Sequence, residues 1–197
     1  MNNEKLLSRR LFLQSTALAT AGLAMSAMPA AASEREGRQQ KRGRKSGFTL
    51  WQIPSHKDTI GNSYVFQTAG GKLIVMDGGT AEEDFTLRGF LGALGNEVEA
   101  WFISHPHPDH MGALNEILKR PQDLRIKTIY HSRMTEDVIK AEPQCEVSCH
   151  EYYNRLDALK DIRVVDLQEA GQVFRFDEMN VKILSVATGL TNNPYNN

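Results

Sequence analysis

The stretch SHPHPDHMG, Ser104 to Gly112, decides how the rest of this sequence is interpreted. It places three histidines and one aspartate within six residues, and two prolines separate them. Each proline fixes φ and favours an extended backbone at the residue before it, so His105 and His107 are expected to project to one side. Asp109 stands near the N-cap of an expected helix, MGALNEILKR, and that turn would point His110 in another direction.

The spacing of these side chains predicts a metal site. His105 and His107 could hold one ion, while the carboxylate of Asp109 and the imidazole of His110 could hold a second ion close by. Imidazole and carboxylate ligands suit Zn²⁺, and also Fe or Mn. A surface loop that only caps a helix would not need four ligand-type residues at the end of an apolar strand.

The segments around this loop alternate between strand and helix patterns, which predicts an α/β domain. Gly70-Gly71 separates two apolar runs and indicates a hairpin. Strands are expected in FTLWQIP, NSYVFQTA, KLIVMDGG, EAWFIS, IKTIYHS, RVVDLQ, QVFRF and MNVKILSVA. Helices are expected in AEEDFTLRGFLGAL, in MGALNEILKR and in most of Thr135 to Lys160, with a break near Pro143.

The motif H-P-H-P-D-H, with Gly112 two residues on, resembles the H-x-H-x-D-H signature of the metallo-β-lactamase superfamily. LIVMDGG is similar to that family's strand ending in Asp-Gly-Gly. The resemblance implies the N-terminal half of an αββα sandwich with the metal site at its edge. It also implies that Asp77 supports the loop from Ser104 to Gly112, called the metal loop below, through hydrogen bonds. A turn-forming Asp before two glycines is the alternative for Asp77.

The family's later ligands are a bridging aspartate and a final histidine, and neither is visible in this sequence. The Asn-rich end resembles a segment that starts the second half in the branch typified by bacterial DNA-uptake competence proteins. We therefore expect residues 48–197 to form a domain that is incomplete at its C-terminus, and residues 33–197 alone to be aggregation-prone or molten, and catalytically inactive. His131, at a strand end, is the nearest alternative ligand. His150 is expected on a helix surface and His56 in a polar loop.

Residues 1–32 resemble a twin-arginine signal peptide. Arg9 and Arg10 precede Leu-Phe-Leu and a moderately apolar stretch, and Ala30 and Ala32 occupy the A-x-A positions. An uncleaved membrane anchor is the alternative, although the apolar run is short. Residues 33–47 form a predicted basic, flexible linker. These features predict engagement of the export machinery, a periplasmic or extracellular location, and no membrane span after cleavage.

Charge and cysteine content limit the function further. From Ser46 onward the chain carries 14 Lys and Arg against 21 Asp and Glu, a formal charge of −7. An acidic body attracts polyanions poorly, so no stable nucleic-acid binding is expected.

Cys145 and Cys149 lie four apart in a helical pattern, where a disulfide would be strained, so free thiols are predicted.

These observations predict a metal-dependent hydrolase that uses a metal-activated hydroxide on an ester-type or phosphodiester bond. The substrate would be a small molecule or a phosphodiester, and membership of such a family does not select between them. Asp109 would orient the nucleophile and could take its proton. The alternatives are an exported non-catalytic metal-binding module, an inactive fragment of a hydrolase, or an adhesion or nucleic-acid-binding protein that works through the basic linker.

Overall fold

The computed structural model describes residues 47–56 and 60–187. The predicted signal peptide, residues 33–46 of the predicted linker and the Asn-rich end lie outside these residues. The strands are β1 (Phe48–Ile53), β2 (Ser63–Thr68), β3 (Leu73–Asp77), β4 (Glu97–Phe102), β5 (Arg125–Ile126), β6 (Thr128–His131), β7 (Arg163–Asp166), β8 (Val173–Phe176) and β9 (Met179–Lys182). The helices are α1 (Asp84–Ala93), α2 (Pro108–Lys119), α3 (Glu136–Lys140) and α4 (Pro143–Ala158), and a short 3-10 turn covers Ala81–Glu83.

The main sheet has the strand order β1-β2-β3-β4-β6-β7, and β5 pairs with β4. Strands β1 to β3 are antiparallel, and the predicted hairpin at Gly70-Gly71 joins β2 to β3. From β3 onward the neighbours β3-β4, β4-β6 and β6-β7 are parallel, with helices in the connections between them. The carboxyl ends of parallel strands share one edge of a sheet, so the segments that follow β3, β4 and β6 meet there. The chain therefore has the mixed α/β fold that the sequence predicts.

Both faces of the central strands are covered. On one face the helices pack over a large core around Val75, Trp101, Leu114 and Tyr152. On the other face Ile74, Ala100, Phe102 and Tyr130 pack against a separate hairpin formed by β8 and β9, which contributes Phe176, Met179 and Val181. This double burial explains why β3 and the second half of β4, Ala100 to Phe102, are continuous apolar runs.

Several boundaries differ from the sequence-based expectation; the strand expected in MNVKILSVA, for example, ends at Lys182. Helix α2 begins at Pro108, and His107 occupies its N-cap with φ −77° and ψ 150°. Proline is well accommodated at the first helical position, where no intrahelical N–H bond is needed. Asp109 therefore lies in the first turn, near the cap as expected, and the helix begins three residues before the expected MGALNEILKR. The expected strand IKTIYHS is divided into β5 and β6 around Lys127.

Within residues 47–56 and 60–187, no helix combines the length and the apolar character that crossing a bilayer requires.

Candidate metal centre

The loop that carries the histidines leaves β4 and enters α2, and its backbone is fixed from several sides. The N–H of Ile103 donates to the carbonyl of Tyr130 at 2.9 Å, and the thiol of Cys149 donates to the carbonyl of Pro106 at 3.3 Å. At Gly112 an added Cβ would lie 2.5 Å from the backbone N of Ala81. Glycine at this position lets the first turn of α2 approach the turn that follows β3.

Asp77 ends β3 and contacts the loop directly. Its Oδ1 accepts a hydrogen bond from the N–H of Ser104 at 2.8 Å, and its Oδ2 accepts one from Ser104 Oγ at 2.9 Å. The indole N–H of Trp101 donates to the backbone carbonyl of Asp77 at 2.9 Å. Asp77 has φ 57°, a left-handed conformation that is uncommon outside glycine. These bonds stabilise it there, and its carboxylate lies beside the metal loop.

The imidazole of His110 lies between two carboxylates. Its Nδ1 is 2.9 Å from Asp77 Oδ2, and its Nε2 is 3.3 Å from Asp109 Oδ2. A proton on Nδ1, donated to Asp77, leaves the Nε2 lone pair free to bind a metal. Two ligands of one tetrahedral Zn²⁺ ion, each about 2.0–2.2 Å from it, lie roughly 3.3 Å apart. His110 Nε2 and Asp109 Oδ2 therefore fit a single ion.

The electrostatic surroundings of His105 and His110 differ. Burial, together with the neighbouring His110 and His107, lowers the pKa of His105 to about 4. Burial also acts to lower the pKa of His110, but the hydrogen bond to Asp77 and the charges of Asp77 and Asp109 outweigh it and raise the pKa. The ring of His105 lies 3.9 Å from that of His110, centroid to centroid. Near neutral pH His105 is thus an uncharged imidazole, the form that binds metals.

His107 faces a different element. Its Nε2 lies 2.5 Å from Oε2 of Glu142, a buried residue at the start of α4. The ligand atoms of His107, Glu142 and Cys145 all lie within 4.8 Å of one another. The sequence did not indicate Glu142, and it predicted Cys145 only to be a free thiol. The Glu-x-x-Cys spacing beside Pro143 was available, but no local pattern places the start of α4 against the metal loop.

The other three histidines lie in different surroundings. His131 is buried at the end of β6, and its ring centroid is 6.1 Å from that of Tyr152 and 5.9 Å from that of Tyr153. Burial lowers its pKa to about 4. His150 is partly exposed, with Nε2 3.7 Å from Glu136. His56 is exposed, and its backbone N–H donates to Glu83 Oε1 at 3.3 Å.

Both cysteines of the chain are free thiols, as predicted. Cys149 is buried, and burial is the main cause that raises its pKa to about 12. Cys145 is half-buried, and burial followed by the charges of Glu142 and Asp109 raises its pKa. Cys149 therefore acts as a packed, neutral thiol, whereas Cys145 borders the metal loop.

Two depressions adjoin the loop. A small cavity beside His105 is bordered by Ser132, Met134 and the segment 185–187. A more apolar groove runs from Ser104 between the sheet and the hairpin, and it is lined by Tyr64, Met76, Phe102, Leu167, Val181 and Leu184. Both depressions therefore border Ser104 at the start of the loop.

Comparison with known proteins connects this geometry to a family. The sequence model of the metallo-beta-lactamase superfamily matches residues 56–169, more than half of the chain. Among solved structures, Rm3 metallo-beta-lactamase is 21% identical with a TM-score of 0.44, and the match covers 68% of this chain and 47% of that one. BLEG-1 B3 metallo-beta-lactamase is 20% identical with a TM-score of 0.43, over 68% of this chain and 59% of that one.

A third similar structure is the metallo-beta-lactamase MIM-1 from Novosphingobium pentaromativorans, at 16% identity and a TM-score of 0.40, over 60% of this chain and 42% of that one. The chain thus spans roughly half of the length of these structures. No curated protein matches the sequence.

Proposed function

Because this chain belongs to the metallo-beta-lactamase superfamily, whose members are largely metal-dependent hydrolases, we propose that it hydrolyses an ester-type or phosphodiester bond. One observation supports this proposal most directly. His110 Nε2 and Asp109 Oδ2 lie 3.3 Å apart, while Asp77 engages the opposite nitrogen of the same ring. A carboxylate that orients a ligand histidine through its second nitrogen is a recurrent feature of protein metal sites.

The residues of the loop fit a pair of metal ions. His105 and His107 would hold one ion, and Asp109 and His110 the other. The nitrogen and oxygen donors favour Zn²⁺ and are compatible with Fe or Mn. Bound there, such ions would act as Lewis acids that lower the pKa of water and polarise the bond to be cleaved.

The protein's own residues would orient the reactants. The carboxylate of Asp109 is half-buried at the start of α2, and its second oxygen could hold an attacking water and accept its proton. Asp77 would keep the ring of His110 in one orientation. Ser104, which donates to Asp77, would tie the loop to the end of β3.

The surroundings favour a small substrate. The apolar groove that ends at Ser104 could accept an acyl chain or an aromatic group beside the metal loop. The formal charge of −7 from Ser46 onward disfavours a long polyanion unless metal ions neutralise it. A small ester or a small phosphodiester therefore fits better than extended DNA or RNA. This preference holds although the C-terminal end resembles the competence-protein branch.

The test measures metal content and hydrolysis together on the full chain. Purified protein is loaded with Zn²⁺, and turnover is followed on p-nitrophenyl acetate and on bis(p-nitrophenyl) phosphate. His107→Ala should lower Zn²⁺ affinity by about tenfold or more, at least as much as typical losses from altering an outer-sphere partner. His150→Ala is the matched control, because this histidine lies on α4 beside Glu136. Zn²⁺ bound without turnover on either substrate would favour the non-catalytic metal-binding module.

We also propose export through the twin-arginine pathway, followed by a periplasmic or extracellular location. The support is the sequence pattern of residues 1–32, which lie outside the described residues. Replacing Arg9 and Arg10 together with lysine should leave the precursor in the cytoplasm, as detected by cell fractionation. The same replacement at Arg42 and Arg44 in the linker should leave export unchanged. Export that survives the first change would assign the chain to another route.

A further inference from the structure

The turn between α3 and α4 brings two ligand-type side chains to the metal loop. Glu142 precedes Pro143 at the start of α4, and Cys145 follows within the first turn of that helix. The N–H of Cys145 donates to the carbonyl of Glu142 at 2.9 Å, so the two residues are one turn apart. Both side chains reach His107, which belongs to a different element.

Glu142 is a buried carboxylate whose contact with His107 lacks hydrogen-bond geometry. Only 4% of its surface is exposed, and Oε2 lies 2.5 Å from His107 Nε2 in an ion-pair contact, with no hydrogen bond of normal geometry to this oxygen. A buried carboxylate oxygen without a hydrogen-bond donor is costly, and most such groups in folded proteins have a partner or a cation. An ion pair with His107 is the simplest way to stabilise this carboxylate. It does not explain why the sulfur of Cys145 lies close to the same two groups.

We propose that Glu142 and Cys145, together with His107, are ligands of one divalent ion of the Zn²⁺ class. The set supplies one nitrogen, one oxygen and one sulfur, and a thiolate among the donors selects Zn²⁺ over Mg²⁺ or Ca²⁺. At metal–ligand distances of about 2.0–2.3 Å, ligand atoms lie roughly 3.3–3.6 Å apart. The three atoms here already lie within 4.8 Å of one another, so small side-chain rotations would close the site.

This inference rests on the proposed function in one respect, which is that His107 binds metal. It adds that the chain completes the coordination of that ion from its own helix α4. A consequence is that α4 and the metal loop would be linked through the ion as well as through the bond between Cys149 and Pro106. Asp109 and His110 are not part of this set and would bind their ion independently of it.

The test replaces Zn²⁺ by Co²⁺ in the full chain and records its absorption spectrum. A thiolate ligand produces a sulfur-to-metal charge-transfer band in the near ultraviolet, which histidine and carboxylate ligands do not produce. The band should be present in the parent and absent in Cys145→Ser. It should persist in Cys149→Ala, because that thiol points to the carbonyl of Pro106.

The carboxylate is tested in the same way with isosteric amides. Glu142→Gln should weaken binding of the ion that gives the band by about tenfold or more, whereas Glu146→Gln, one residue after Cys145 and near His150, should not. A second measurement needs no variant. The rate at which iodoacetamide alkylates Cys145 in the parent should fall when Zn²⁺ is added, as read by peptide mass spectrometry.

The outcomes separate this inference from the proposed function. Binding of Co²⁺ that depends on His107, with no charge-transfer band and no protection of Cys145, would overturn the role of Glu142 and Cys145 and leave the hydrolase proposal standing. Binding of no divalent ion at all would overturn both. A band that is lost in Cys149→Ala and retained in Cys145→Ser would identify Cys149 as the sulfur ligand and overturn the assignment to Cys145.

Discussion

His107 and His110 belong to the same loop, yet their neighbours hold them in different ways. His110 is oriented by Asp77, whose own atoms are hydrogen-bonded to Ser104 and Trp101 at the end of the sheet. His107 faces Glu142 at the start of a helix, and Oε2 of that carboxylate accepts no hydrogen bond of normal geometry. The His110 side is therefore preorganised by the protein, whereas the His107 side has a buried carboxylate that a bound cation would stabilise.

The largest effect should come from the carboxylate on the preorganised side. Asp109→Asn keeps the size of the side chain but weakens it as a ligand and removes its ability to accept a proton. Hydrolysis should fall by about 10²- to 10⁴-fold, the usual contribution of a positioned acid or base. Asp123→Asn is the control, since that carboxylate bonds Asn96 in an exposed turn. Equal turnover in Asp109→Asn and the parent would remove Asp109 from the proposed mechanism.

The next effect tests whether Asp77 prepares the site. Asparagine tolerates the left-handed conformation that Asp77 adopts at φ 57°, so Asp77→Asn should fold without backbone strain. The amide keeps one acceptor oxygen and replaces the other with an NH2 donor, so it cannot accept from the Ser104 N–H at one position and from Ser104 Oγ and His110 Nδ1 at the other. Affinity for Zn²⁺ should therefore fall by about 10- to 100-fold. A chelator-competition titration measures it. Unchanged affinity would reduce Asp77 to the turn-forming residue that the sequence also allows.

The same variant has a pH signature in the metal-free protein. The hydrogen bond and the charge of Asp77 raise the pKa of His110 against the effect of burial, so this pair stabilises the fold fully below the ordinary pKa of histidine. The stabilisation is lost as pH rises through the raised pKa. An NMR titration of metal-free Asp77→Asn should show a lower pKa for His110 than in the parent.

The two sides also differ in how far sequence alone predicts them. The loop from His105 to His110 and the strands around it follow from local patterns, because proline spacing and apolar runs each act within a few residues. The supporting role of Asp77 follows from the family resemblance of the Asp-Gly-Gly strand end. The approach of Glu142 and Cys145 to His107 depends on how α4 packs against α2, which no local pattern encodes. The same reason applies to the β8–β9 hairpin, which pairs separately from the main sheet.

A buried side chain donates a hydrogen bond to the backbone near each of the two histidines. The donor on the His110 side, the indole of Trp101, should contribute more to the free energy of unfolding. Trp101→Phe leaves the carbonyl of Asp77 without its indole donor, which should lower the free energy of unfolding by about 2 kcal/mol. Urea denaturation measures this difference. Trp51→Phe is the matched control, because that indole is half-buried and packs edge-on against Phe90. An equal loss in both variants would attribute the effect to ring volume instead of the hydrogen bond.

The smallest effect should come from the donor on the His107 side, the thiol of Cys149. The thiol of Cys149 is fully buried and donates to the carbonyl of Pro106 at 3.3 Å, but a thiol is a weak donor. Cys149→Ala should therefore lower the free energy of unfolding of the metal-free protein by only about 1 kcal/mol, mostly through lost packing. Cys145→Ala, at a half-buried position, should cost less in the same urea titration. A loss from Cys149→Ala as large as that from Trp101→Phe would show that the His107 side is as strongly preorganised as the His110 side, which would contradict the difference between the two sides.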